Sequence, residues 1–496
     1  MKKLLVCSVA AYVTLTGCSA LASPDSQDFG QKIERFLNKQ SNKLFGIKKS
    51  LSAPATVADY IPREQAAASQ RLLLAKGLKA EYVARNVSVS GDMMTLWPNA
   101  KNYSHMIVCI EQGRATNGLN AGVQRVDIKT GAVETILYGM NRCDGIRTTA
   151  WGTVLATEEA GDGRAYEIIK PLTTTGHWVA DRATGDIRNG INSVGVSQTI
   201  VQRVALPTMA WEGLTVLNNG VVIGGDELRP GSYTDASGSK DTDGGAIFKF
   251  VPAVPYTGNG VISSLSSSPL ISGQTYAMQV SCVESKQQTG QGCEIGNAAW
   301  VEVDPLVARV DANEKDATGY YRPEDLHLDP LYKGEGERFC WTNTGREKAS
   351  NFGEVVCAID SNPLLADSNI RSVVVNRVFE GDQRFNSVDN LAFQPKTGNM
   401  YVIEDHQYGE VFACLPDGQD RDIKTDGCIG VMSVVDPDAE PTGFMFDASG
   451  KVAFVIIQHG EQPAELLDMN TNPVTGKTDD LIMITGFKVK HNNQDD

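Results

Sequence analysis

The sequence lacks the short signatures of most cofactor chemistries. It has no G-x-G-x-x-G turn and no P-loop, which excludes a Rossmann-type or P-loop nucleotide enzyme. It has no C-x-x-C and no histidine pair at metal spacing, which excludes a zinc site of the usual kind. Basic residues are short: 45 Lys and Arg stand against 60 Asp and Glu, for a net charge of −15. That balance excludes nucleic acid and an anionic bilayer surface as partners, while leaving room for bound cations. Past the N-terminus no apolar run reaches the length of a membrane-spanning helix.

What is present begins with a secretion signal. Lys2 and Lys3 precede an apolar stretch from Leu4 to Leu15, too short to span a bilayer, that ends in Leu15-Thr16-Gly17-Cys18. This ending resembles a bacterial lipobox and implies a signal peptide over 1–17 and lipidation at Cys18, the protein meeting the membrane only through that anchor. Ser19 after it favours the outer membrane, by analogy with bacterial lipoproteins. The alternative is an ordinary signal cut near Ala22 or Ser23. Either way the mature protein is expected outside the cytoplasm, periplasmic or at the cell surface, and as a monomer. Past the signal, eight cysteines fall into neighbouring couples, 109/143, 282/293, 340/357 and 414/428. In an oxidising compartment these read as disulfides stapling hairpins or single blades.

Residues 18–80 read as a tether with helical spacing at Gln31–Gly46 and Arg63–Gly77. From 81 to 496 the character is β: Val-, Ile- and Thr-rich runs alternate with Gly/Asn/Asp turns. Six units can be drawn, near 90–140, 144–200, 205–255, 318–362, 385–432 and 440–490. Arg229–Gly245 and Thr257–Thr289 read as loops on one face. Repeated strand pairs of this kind indicate a radial architecture. The expected fold is all-β, a six-bladed propeller with an N-terminal helical extension. The late strand Leu481-Ile482-Met483-Ile484 is placed to close the ring with N-terminal material.

Acids recur at matching points of the repeats. Examples are Trp211-Glu212-Gly213, Arg322-Pro323-Glu324-Asp325, Val388-Asp389-Asn390, Glu158-Glu159 and Glu404-Asp405. In a radial fold such acids converge, and carboxylates are ligands for hard cations. The same segments resemble the PhoX-type alkaline phosphatase family. Thr149-Ala150-Trp151-Gly152-Thr153 through Glu158-Glu159 is similar to its T-P-W-x-T-x-L-x-C-E-E motif, and Arg322-Pro323-Glu324-Asp325 to its R-P-E-D. Asp389-Asn390-Leu391-Ala392-Phe393 resembles P-D-N-L-A-F, and Glu440-Pro441-Thr442-Gly443 with Gln458-His459-Gly460 resembles E-P-T-G…Q-H-P-G. Ile110-Glu111 stands at the place of N-H-E.

The resemblance implies phosphomonoester hydrolysis at a calcium and iron cluster on the axis, with a small phosphorylated molecule as substrate. It implies Glu159, Glu212 and Glu324 as metal ligands, with Glu158, Glu404 and Asp405 as further candidates. It implies Arg322 as the phosphate clamp, with Arg322 and Glu324 central to catalysis. Thr157 replaces the family's iron-ligating cysteine, so calcium alone, or another divalent ion, is the alternative. Two other functions stay open: a non-catalytic calcium-binding propeller serving as a scaffold, and a calcium-dependent lactonase-type hydrolase. Plainer roles also stay open for single residues. Glu158 and Glu159 can pair with Arg147 or Arg164, Arg322 with Glu324 or Asp325, Asp389-Asn390 can form an Asx turn, and Glu404-Asp405 can be solvated loop acids.

Overall fold

The computed structural model describes residues 29–489, apart from 116, 117, 119, 235–237, 239, 242, 259, 281–293, 416–426, 460–462 and 468–472. Cys18 and the couple 282/293 lie outside the described residues. Among the described residues no helix is long and apolar enough to cross a membrane.

The protein is a β-propeller. The innermost strands of its units are Gly91–Trp97, Cys143–Thr148, Trp211–Val216, Pro323–Leu328, Val388–Phe393 and Glu440–Phe446. Each contacts the next, and the last contacts the first, so these strands form a ring. Further strands run outward from each by antiparallel pairing, except that His177–Asp181 pairs parallel with Val133–Tyr138 at the edge of the first unit. Both faces of a unit pack on neighbours, which is why the inner strands are buried along almost their whole length instead of alternating.

The core is divided accordingly. One apolar cluster joins Ile107 and Val123 of the first unit to Ile146 and Val154 of the second. Trp151 packs with Trp211 and Phe248 between the second and third, and Trp300 with Phe339 and Trp341 between the third and fourth. Val355 meets Leu391 and Val402 next, then Tyr401 meets Phe444 and Phe446, and Val108 meets Phe454 and Ile456 to complete the circle.

The ring closes as the sequence suggests. Pro473–Thr485 lies between Val452–Gln458 and Lys79–Ser88, with Ile484 opposite Ala80 and Ile482 opposite Tyr82. N-terminal and C-terminal strands thus share the sixth unit, so neither end can leave without breaking a ladder. Asp480 of the C-terminal strand anchors the N-terminal segment as well, pairing with Arg63 at 2.7 Å and with Arg71 and Arg85 at 3.3 Å each.

Three expectations need correction. Phe29–Leu44 is a helix, but Arg63–Gly77 holds only the single turn Ala68–Arg71. Its leucine run, Leu72–Leu74, pairs instead with Cys428–Val434 at the edge of the fifth unit, where Leu72 is buried. Thr257–Thr289 is not all loop, because Gly273–Val280 is the fourth strand of the third unit; its Ser- and Gly-rich flanks hid a short alternating segment. Gly296–Val303 then bridges that strand to Val373–Glu380, fusing the third and fourth units into one sheet. Finally, Cys340–Cys357 and Cys414–Cys428 staple single units, but Cys109–Cys143 links the first unit to the second.

Candidate active site

Every inner strand carries the same irregularity near its start, an extra residue opposite the neighbouring strand. It falls between Gly91 and Met94, Cys143 and Ile146, Trp211 and Leu214, Pro323 and Leu326, Val388 and Leu391, and Thr442 and Met445. Such bulges turn a side chain out of the ladder and recur beside active sites. The residue after the first of each pair is Asp92, Asp144, Glu212, Glu324 and Asp389 in the first five units, and Gly443 in the sixth. Gly443 has φ of +58°, and a Cβ there would lie 2.5 Å from the carbonyl oxygen of Asp92, so only glycine fits. Five buried acids are thereby aimed at the axis by one backbone device used repeatedly.

A second tier comes from the neighbouring strands. The residue following each second strand is Glu111, Glu159, Glu227, Thr344 or Asp405 in the first five units. Their backbone N–H groups donate to the residue just before the inner strand: Ser90, Arg142, Ala210, Arg322 and Ser387 in turn. The sixth unit differs, its bulge lying two residues deeper, so that the pair Glu440 and Gln458 occupies the rim instead.

This geometry separates the paired acids that the sequence presents as equivalents. Successive side chains on a strand point to opposite faces. Glu159 faces the axis, whereas Glu158 points into its blade, accepting hydrogen bonds from Arg182 (2.7 and 3.0 Å), the Asn141 N–H (2.8 Å) and the Arg164 N–H (3.0 Å). Asp405 faces the axis, whereas Glu404 accepts from the N–H groups of Asn386 (2.9 Å) and Glu410 (3.0 Å). Glu158 and Glu404 are therefore not brought to the cluster; they hold blades together. Glu158→Ala is expected to destabilise the protein by roughly 3 kcal/mol, the scale for orphaning one partner of a buried pair, with metal uptake retained. Glu159→Ala is expected to weaken metal uptake with little loss of metal-free stability. Thermal melts with cation titration of both variants check this, and equal loss of uptake would refute the division.

The cluster surrounds a cavity of about 90 Å³ lined by eight carboxylates, two guanidiniums and Gln458. Three sets of carboxylate oxygens lie within 4.8 Å of one another: Asp92, Glu111 and Asp144; Asp144, Glu159 and Glu212; Glu212, Glu324 and Asp389. They overlap at Asp144 and Glu212, so adjacent cations would share those residues. Both oxygens of Asp144 and one of Asp92 are buried without a hydrogen-bond partner. Burial and mutual repulsion push Asp92, Asp144, Glu159, Glu212, Asp389 and Glu440 well above the ordinary carboxylate range. Glu324 is pushed up to about 8 by burial and Glu227, even with Arg322 beside it. Orphaned buried oxygens and unshared negative charge are what an all-oxygen site for hard cations leaves when described as protein alone.

The two guanidiniums occupy equivalent positions. Arg142 and Arg322 each precede an inner strand, each with left-handed backbone at φ of 59° and 58°. Such a conformation costs a non-glycine residue roughly 1–2 kcal/mol, a strain that tends to collect at functional sites. Arg142 pairs with Glu159 at 2.7 Å and with Glu111. Arg322 pairs with Glu324 at 3.1 Å and with Glu227. Burial opposes the charge on Arg322, but Glu324 and Glu227 hold it above its ordinary value.

The sequence profile described as "Alkaline phosphatase PhoX" matches residues 99–461. The chain belongs to the PhoX alkaline phosphatase family. Among solved structures, Pseudomonas fluorescens PhoX in complex with vanadate, a transition state analogue, is similar over 89% of this chain and 98% of that one, with 14% identity and a TM-score of 0.58. A gluconolactonase from Xanthomonas campestris, XC5397, covers 89% of this chain and 99% of its own at 11% identity and a TM-score of 0.43. No curated protein matches by sequence.

Of the expected site residues, the structure brings Glu159, Glu212, Glu324, Asp405 and Arg322 together. Sequence reading did not select Asp92, Asp144, Glu440 or Arg142 for this PhoX-family site, and it counted Asp389 among the converging acids without naming it a ligand. Asp92 and Asp144 occupy the same bulge position as Glu212 and Glu324, an equivalence that only the paired strands reveal. Thr157 lies beneath the cluster, its hydroxyl donating to the Gly145 carbonyl of the second unit's bulge at 2.9 Å.

Proposed function

We infer that this protein is a metal-dependent phosphomonoesterase exported from the cytoplasm and lipid-anchored at Cys18. The observation that carries the reading is the pairing of Arg142 and Arg322 over a ring of carboxylates. A phosphate group needs guanidinium donors, but the ring alone would repel a dianion. Cations must offset that repulsion, so binding and metal content are linked. Asp92, Glu111, Asp144, Glu159, Glu212, Glu324 and Asp389 are the residues that would hold them; calcium suits the all-oxygen set, and iron(III) also accepts it. When bound, such ions supply positive charge against the charge that develops on a transferring phosphoryl group.

The chain's own residues do the rest. Arg322 offers two parallel N–H donors to phosphate oxygens, and Arg142 approaches from the second unit. Glu227 and Glu111 fix those guanidiniums before substrate arrives, which limits the reorganisation needed on binding. Gln458 donates to Asp92 at 3.0 Å, holding that carboxylate turned into the cavity. Three disulfides support an oxidising, extracytoplasmic setting.

The test is elemental analysis of protein purified without chelator, with p-nitrophenyl phosphate hydrolysis read on the same sample. Retained hard cations with turnover, both lost on chelation, are expected. Tightly held calcium with no ester turnover would favour the scaffold alternative, and turnover of a lactone panel alone would favour the lactonase.

A further inference from the structure

The described disulfides are of two kinds. Cys340 stands directly opposite Cys357, and Cys414 opposite Cys428, in ladders that backbone hydrogen bonds already hold. Cys109–Cys143 is different. It joins His105–Ile110 of the first unit to Cys143–Thr148 of the second, and among the described residues no strand pairing connects those two. Both cysteines are fully buried.

The bond lies at the level of the axial cluster. Cys143 stands between Arg142 and Asp144, and Cys109 is two residues before Glu111. Those three site residues meet across the same junction. Arg142 pairs with Glu111, and carboxylate oxygens of Asp144, Glu111 and Asp92 lie within 4.8 Å of one another. Beside them the Gly145 carbonyl accepts from the Thr157 hydroxyl at 2.9 Å and lies 3.9 Å from the Cys109 sulfur.

Asp144 depends on its backbone for its placement. It belongs to two of the three oxygen groups, yet neither of its carboxylate oxygens has a hydrogen-bond partner. Asp92, by contrast, is held by Gln458, and Glu324 by Thr344. Without cations, ionised acids of the first and second units repel across the junction. A ligand set needs its donors held to within about 0.5 Å. Apolar packing between units is non-directional and resists that repulsion poorly. A covalent bond one residue from Asp144 resists it well.

We propose that the Cys109–Cys143 bond is a positioning element of the axial site. It holds Asp144 and Arg142 of the second unit against Glu111 of the first, so that the oxygens are gathered before a cation arrives. This rests on the reading of the cluster as a cation site and deepens it, whether or not an ester is hydrolysed there.

The test is calorimetric calcium affinity in wild type, Cys109→Ala/Cys143→Ala and Cys340→Ala/Cys357→Ala, each well below its melting temperature. Loss of either bond should lower the melting temperature of chelated protein. Only loss of Cys109–Cys143 should raise the Kd for calcium, by roughly tenfold or more. An unchanged Kd, or an equal rise in both variants, overturns the proposal. Combined with Asp144→Asn, the two losses of affinity should fall short of adding, because both act on one carboxylate; additive losses also overturn it. Wild type supplies a measurement that needs no variant to fold. In a dithiothreitol redox buffer, calcium should favour the oxidised Cys109–Cys143 pair by the factor with which the bond favours calcium. Alkylation and peptide mapping should show that protection at Cys109 and Cys143, and less at Cys340–Cys357 and Cys414–Cys428. Equal protection of all three pairs overturns the proposal. Turnover of p-nitrophenyl phosphate is read on the same samples. The expected coupling without turnover supports the positioning role and counts against the phosphatase reading alone. Wild type that takes up no calcium overturns the positioning role together with the calcium reading.

Discussion

Arg322→Ala is expected to lower kcat/KM for p-nitrophenyl phosphate by roughly 10²–10³, the scale for removing one well-placed donor to developing negative charge. Arg322→Lys should recover only part of it, because an ammonium cannot present two parallel donors. A built-in control comes from the backbone. Arg322 sits at φ of 58°, where glycine is at ease and alanine is not. Arg322→Gly should therefore be as inactive as Arg322→Ala, yet more stable than it by roughly 1 kcal/mol. Activity of Arg322→Ala within tenfold of wild type would remove Arg322 from the phosphate site. Stability lost equally in both variants would remove strain from its description.

The second large effect concerns cations and pH. In metal-free protein, the raised carboxyls bind more protons folded than unfolded. Glu324 has a folded value of about 8, against about 4.3 in an unfolded chain. A group with its folded pKa raised stabilises below the unfolded value and loses that contribution as pH rises through the folded value. Metal-free protein should thus be most stable near pH 4–5 on this account and weaken toward pH 8, by up to about 1.4 kcal/mol per pH unit for each such group. Metal-loaded protein should show the opposite slope, because protons then compete with the cations for the same oxygens. At a thousandfold excess over Kd, a cation adds about 4 kcal/mol. Melts of chelated and calcium-loaded protein from pH 5 to pH 8 check both slopes. Parallel curves would mean that the cluster holds no cation of consequence.

These effects trace to features of unequal visibility in the chain. Glu212 and Glu324 were legible because each falls at a repeated point, in Trp211-Glu212-Gly213 and Pro323-Glu324-Asp325, and because the family resemblance assigned both as ligands. Asp92 and Asp144 occupy the same structural point, but their flanks, Gly91-Asp92-Met93 and Cys143-Asp144-Gly145, share little with those of Glu212. Their equivalence lies in a bulge, and a bulge is a property of two paired strands. Glu158 and Glu404 show the converse. Adjacent acids look alike as letters, yet the two-residue period of a strand sends one to the axis and the other to Arg182 or to backbone N–H groups. Which acid goes where depends on register, which is set across strands. Arg142 was overlooked although its surroundings echo those of Arg322: Arg142-Cys143-Asp144-Gly145-Ile146 repeats the arginine, acid and aliphatic spacing of Arg322-Pro323-Glu324-Asp325-Leu326, a match too short to stand out until the ring shows that both precede inner strands.

By itself the sequence determined the all-β propeller class and the closing strand near Leu481, which follow from periodicity and turn residues, both local. It favoured neighbouring cysteine partners without fixing the pairing, and its motifs carried the resemblance to the PhoX family. The tertiary structure decided the rest. It chose which acid of each pair meets the axis, set Arg142 and Arg322 at equivalent points on one cavity, and fused the third and fourth units. Each of these is a relation between segments distant in sequence, fixed by strand register and by the closure of the ring.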